Sequence, residues 1–425
     1  MFITLPEIPQ IPEAVSHQLK RTYIEFADQQ LPVSFEKFIT NEFGIDLAAE
    51  YAGLPIRSPF GKASGQLSMT RRQVQDDIEA GLGFVILKTV IAQDETGHQS
   101  MQAWATTETK MTVEPIQGKN GETGWTVSWK GRGWHKSFAD YLQLIREANQ
   151  LADGTGCLIV PSCKYHLPAS GDESWNTAEY EYTTRRLYEA WNEINSNNAQ
   201  PLPLEKDFSP TLAGDRLSQV QEQILPWLNI VPRLIKQSLP DGPEQIRLGL
   251  KVFNTLFDDE FQLEMLSTLH ESKVQPDFLI YGNRLFDPHR KYDGKTGIAY
   301  GGPDLSDRNL RVLTRFRNVS TVRNQLPLSA TGDIQSGRRA VEYLLCGAEN
   351  FQLHTYFQLP ATEYTCRIGN KTYKALHELY FHPTTGFLAW LFHLAQRLDL
   401  PKESIRYLDI VREVRDRQLT LKRMT

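Results

Sequence analysis

Apolar residues fall along this chain in short, nearly unbroken runs, not in strict alternation. Stretches such as GFVILK, GCLIVP and DFLIY suit strands buried on both faces. Eight such runs are expected to be strands: Pro59–Ser64, Phe84–Thr89, Cys157–Ser162, Leu202–Phe208, Arg247–Phe253, Asp277–Tyr281, Pro327–Thr331 and Phe351–Thr355. Between them the period changes to that of a helix. Asp140–Leu151 spaces Tyr141, Leu144, Ile145, Ala148 and Leu151 along one face, and Arg338–Cys346 does so with Ala340, Val341, Leu344 and Leu345 before Gly347, a stop signal. Alternating strand and helix units of this number predict an α/β protein, a (β/α)8 TIM barrel.

The chain is longer than a minimal barrel, and the surplus has addresses. Residues 1–50 read as a helical extension leading into a short hairpin through Asp46–Ile56, and residues 51–357 as the barrel. Residues 358–425 read as a helical tail containing FLAWLFHLAQRL, packed on the barrel. Insertions at 91–135 and 164–200 follow the second and third strands. They therefore fall on the face where barrel active sites form, as a lid and substrate filter.

Composition narrows the class. Lys plus Arg number 46 against 51 for Asp plus Glu, a net charge of -5, which argues against a general nucleic-acid binder. No apolar run reaches the roughly 18 residues of a membrane span, and the start of the chain lacks the basic, apolar pattern of a signal peptide, so a cytoplasmic protein is expected. The four cysteines, Cys157, Cys163, Cys346 and Cys366, form no Cys-x-x-Cys pair, and the histidines form no His-Glu-x-x-His, so no metal site is expected.

Chemistry-bearing residues cluster at the ends of the expected strands. Ala63-Ser64-Gly65 ends a strand with small residues, which would let a flat ring approach the backbone; alone, it reads first as a strand-to-helix turn that needs small residues. Lys88 and Lys251 each end an apolar strand, where an ammonium is costly unless paired, by a structural carboxylate or by an anionic ligand. Gly332 precedes SGRRAVEYLL, and amide groups at a helix start bind anions; Gly301, Gly302 and Thr355 would complete that cradle, although isolated glycines read by themselves as turns.

These pieces come in a telling order: Ser58-Pro59, Ala63-Ser64-Gly65, Lys88-Thr89, DFSPTLAGDRL (207–217), GLKVF (249–253), FLIYGN (278–283), YGGPDL (300–305) and LSATGDIQSGRRAVEYLLCGAENFQLHTYF (328–357). Over about 300 residues they resemble the FMN-dependent dihydroorotate dehydrogenase family. The resemblance implies FMN, held by Ala63, Ser64, Gly65, Lys88, Thr89, Ser128, Lys206, Lys251, Gly301, Gly302, Gly332 and Thr355. It implies Ser209 as the proton-transfer residue, with Cys163 in VPSCKYHLP as a competitor whose bland reading is a core thiol. Substrate contacts would come from Asn283, Thr211, Lys130 and Arg132.

The chain departs from the family pattern at its polar positions. Thr211, Ser128, Trp134 and Lys206 stand where the family has asparagine, and Asp333 and His354 stand where it has glycine. A carboxylate at 333 is unfavourable beside a phosphate unless it turns away or pairs with Arg338 or Arg339. Sites built to hydrogen-bond one substrate discriminate by factors of about 10⁴ or more when partners change. The expectation is an FMN-dependent oxidoreductase acting on CH–CH bonds of another small polar substrate. Hydride would pass between flavin N5 and one carbon, and a proton would be exchanged at the neighbouring carbon beside a carbonyl. The alternatives are an authentic dihydroorotate dehydrogenase and a lapsed barrel acting as a binding protein. A homodimer is allowed, and no motif specifies the electron acceptor.

Overall fold

The computed structural model describes residues 2–422 apart from 106–109, 131–132, 169, 196–199, 209–216, 240–241, 255–256, 293, 320–324 and 402–403. All eight apolar runs form parallel strands: β1 Phe60–Lys62, β2 in two segments Phe84–Ile86 and Val90–Ile91, β3 in two segments Leu158–Val160 and Ser162–Lys164, β4 Leu202–Asp207, β5 Ile246–Val252, β6 Phe278–Tyr281, β7 Leu328–Thr331 and β8 Ala348–Leu353. The first halves of β3 and β2 pair with each other and lead through β1, β8, β7, β6, β5 and β4 to the second halves of β3 and β2. Both ends of the curled sheet are thus made by the same two chain runs, as in a TIM-like fold.

Twelve α-helices are formed among the described residues. Two precede the sheet, α1 Glu13–Asp28 and α2 Phe35–Phe43. Seven alternate with the strands: α3 Arg71–Ala80, α4 Phe138–Ala152, α5 Thr177–Asn195, α6 Leu217–Gln237, α7 Asp259–Glu271, α8 Pro303–Val319 and α9 Gly337–Leu344. Three follow it, α10 Lys371–Phe381, α11 Phe387–Arg397 and α12 Tyr407–Asp416. The starts of α3 and α4 are fixed by capping boxes, Thr70 with Gln73 and Ser137 with Asp140. The tail packs closely on the barrel: a Cβ on Gly337, at the start of α9, would lie 1.9 Å from the Phe387 amide nitrogen of α11.

A small hairpin, Ala49–Tyr51 with Leu54–Ile56, closes the end of the sheet opposite the cleft described below. Its Tyr51 ring lies 4.8 Å from Phe84 and 4.9 Å from Phe278. Lys62 points outward from β1 and joins it to α3 and α10 through Asp77 at 2.8 Å and the Thr372 hydroxyl at 2.9 Å. Two longer hairpins stand at the other end. Lys110–Gln117 with Thr123–Lys130 lies within the 91–135 insertion, whereas Leu285–Tyr292 with Lys295–Tyr300 was not anticipated. No helix of the described residues is long and apolar enough to cross a membrane.

Candidate functional site

The C-terminal ends of the strands surround one cleft. Ala63, Ser64, Gly65, Lys88, Thr89, Lys251, Asn283, Gly301, Gly302, Gly332 and Thr355 all line it, although they are spread over nearly 300 positions of sequence. The wall after β1 is held by the backbone, with Ala63 N–H donating to Leu353 at 2.8 Å. Between its two segments β2 leaves the ladder: Lys88 N–H donates to the Ser68 carbonyl at 3.0 Å, which turns Lys88 and Thr89 into the cleft. A line of hydroxyls runs beside them, Ser64 to Thr89 at 2.9 Å and Thr89 to Ser162 at 3.0 Å.

The opposite wall is made of turns. Gly301 and Gly302 lie immediately before α8, and the Gly301 amide is capped by the Thr126 hydroxyl of the first long hairpin at 3.0 Å. Trp125 of that hairpin also lines the cleft. After β7, Gly332 has φ +104°, and a Cβ there would meet Asn309 Nδ2 at 2.7 Å and the Gly282 carbonyl at 3.0 Å. Asn309, buried in α8, donates to the carbonyls of Gly282 at 3.0 Å and Thr331 at 3.1 Å, so one side chain fixes the ends of β6 and β7 together. Asp333 follows in the left-handed region at φ +54°. Its carboxylate accepts from the Ser306 hydroxyl at 2.9 Å and from Gln335, and Arg339 is the strongest cation acting on it. Burial nevertheless raises its pKa to about 6.

The cleft is rich in positive charge. Lys88 and Lys251 are each 4% exposed, and Arg284 joins them, with Asp207 as a carboxylate of the same cleft that acts on Lys88. Burial lowers the Lys88 pKa to about 8; Lys164, Lys251 and Arg284 act in the same sense and Asp207 opposes them. His354 lies against Gly65, hydrogen-bonded to Gln358 at 2.8 Å. Burial, followed by Arg284, Lys88, Lys62 and Lys251, holds its imidazole in the neutral form.

The remaining expected residues fall elsewhere. Lys206 does not line the cleft. It is fully buried on the other face of β4, its ammonium donating to the Asp207 carbonyl at 3.1 Å and lying 4.6 Å from the Phe208 ring centre, while Asp207 takes the inward place. Ser128 is buried in the first long hairpin outside the lining, its hydroxyl without a hydrogen-bond partner among the described residues. Cys163 is fully buried, and burial pushes its thiol well above the ordinary range, which suits a core thiol and not a base. Ser209, Thr211 and Arg132 lie outside the described residues, and Lys130 ends a hairpin strand. All four cysteines are buried thiols outside any disulfide, and no metal-binding group of His, Cys, Asp and Glu occurs among the described residues.

The sequence reading missed Asp207, Arg284, Trp125 and Asn309. Asp207 follows from strand alternation once the register is known, and Asn309 stood as a polar residue within the apolar face of α8.

No protein-family model and no curated protein matches the sequence. Among solved structures, a DHODH from Eimeria tenella, determined in complex with ferulenol, is similar in fold. The likeness covers 97% of this chain and 96% of that one, with a TM-score of 0.55 at 14% sequence identity.

Proposed function

We propose that this chain is an FMN-dependent oxidoreductase acting on a CH–CH bond of a small polar substrate. The observation that carries the proposal is the gathering of eleven sequence-predicted residues, from Ala63 to Thr355, on one cleft of a TIM-like fold. The donor set suits the group. Gly302, Gly332 and Thr355 would hold the phosphate at the start of α8, with Gly301, whose amide is taken by Thr126, shaping the turn beside it. Ala63, Ser64, Gly65 and Thr89 would border the ring, and Lys88 and Lys251 would face its electron-rich edge. FMN, when bound, supplies hydride acceptance and donation at N5.

The chain's own residues do the rest. Lys88 and Lys251, both buried at the strand ends, stabilise negative charge in the cleft. Asn283 orients the substrate by hydrogen bonding, with Thr211, Lys130 and Arg132 as the further contacts we assign. Ser209 exchanges the proton at the carbon beside the carbonyl. Lys206 and Ser128 are left out of this cofactor set because neither lines the cleft. In the same reading residues 1–50 form an extension, 51–357 the catalytic barrel and 358–425 a supporting tail.

The purified protein should be yellow, with an absorbance band at about 450 nm. Ser209→Ala should keep the colour and lose substrate-dependent bleaching. A colourless protein that does not take up added FMN overturns the reading.

A further inference from the structure

Lys88 has the setting of an amine nucleophile. It lines the cleft and is 4% exposed, and among the described residues no hydrogen bond or ion pair ends on its ammonium. The charged groups that face it come from four neighbouring stretches: Lys164 on β3, Asp207 on β4, Lys251 on β5 and Arg284 after β6. Three cations and one carboxylate in a buried site favour the neutral amine, and His354 nearby adds no charge. Burial and like-charge neighbours are the two devices that activate a lysine toward carbonyl compounds.

We propose that Lys88 captures the carbonyl carbon of a small 2-oxo acid as an imine, with the carboxylate of that acid drawn to Lys251 and Arg284. The lone pair of Nζ forms the C–N bond while the carbonyl π pair moves to oxygen, which takes up a proton. The carbinolamine then loses water as C=N forms. The balance is one amine and one carbonyl giving one imine and one water, so no oxidant or reductant takes part. Asp207, in the same cleft, is the group we assign to carry the proton between nitrogen and the departing oxygen. This activity goes beyond the flavin reading. It uses the uncharged form of Lys88 in the flavin-free cleft, whereas the ammonium form is the one assigned to the flavin above, so either can fail while the other stands.

The test uses the full chain with pyruvate and sodium borohydride, followed by intact mass measurement and peptide mapping. The expected result is one reduced pyruvyl adduct on the peptide carrying Lys88, about tenfold or more above any other lysine peptide. Trapping should rise as pH climbs through about 8. Lys88→Arg should remove the adduct, and Lys273→Arg, at an exposed surface position, should leave it unchanged. Mapping of the unmodified sequence locates the adduct without relying on the fold of any variant. Absence of an adduct, or label spread evenly over surface lysines, overturns the proposal.

Discussion

The Tyr51 hydroxyl donates a 2.6 Å hydrogen bond to Glu205, tying the hairpin that precedes the barrel to the floor beneath the cleft. Glu205 is fully buried, and Gln352, a cleft residue, donates to the same carboxylate oxygen. Without the Tyr51 hydroxyl this buried oxygen keeps only the Gln352 donor, and a buried acceptor that loses one of its donors is left under-satisfied. Tyr51→Phe should therefore destabilise the protein by about 1–3 kcal/mol, read by urea unfolding.

Lys62 and Asp77 form a second buried contact, each side chain 3% exposed. Lys62→Met leaves the carboxylate with the Thr372 hydroxyl alone and should cost about 3–5 kcal/mol, whereas Lys62→Met with Asp77→Leu should recover much of the loss. Equal instability of the single and double variants in urea would show that packing, not charge, dominates there.

Gly65 and His354 occupy one space, since a Cβ at 65 would lie 1.9 Å from His354 Nε2. Gly65→Ala should lower stability by about 1–3 kcal/mol through overpacking. Adding His354→Gly should relieve it, so the pair should be strongly non-additive in a double-mutant cycle of thermal unfolding.

Asp333 gives a pH dependence of defined sign. Its folded pKa, about 6, is raised above the ordinary 3.8 by burial, so its contribution favours folding at low pH and is lost as pH rises from about 4 through 6. Asp333→Asn should remove that loss and become more stable than the parent by about 1–3 kcal/mol above that window. Binding of inorganic phosphate to the cleft should weaken in the parent over the same interval and stay level in the variant. Parallel stability curves for the two proteins would contradict this assignment.

The strands and the cleft were legible because burial on both faces leaves unbroken apolar runs, and because barrel chemistry gathers where those runs stop. Lys88 and Lys251 could be placed for that reason. Lys206 could not: a strand sends alternate residues to opposite faces, so a step of one position exchanges Lys206 for Asp207, and register is a property of the whole sheet. The hairpin Leu285–Tyr292 with Lys295–Tyr300 escaped notice because its strands, FDPHRKY and KTGIAY, are polar and lack the alternation of a half-buried pair. Asn309 works through two backbone carbonyls that are distant in sequence, and no local pattern encodes such a tie.

The interruption of β2 has a consequence for ligand entry. At the break, Lys88 spends its amide on Ser68 and Leu87 spends its own on Val160 at 2.9 Å, so the stretch bearing Gly65 is latched to the sheet by main-chain bonds. Ordering a loop on binding costs about 1–2 kcal/mol per residue fixed. Here that entropy is surrendered during folding, before any ligand arrives. A molecule entering the cleft meets walls already frozen on this side, and its affinity is set by how well it answers their charge.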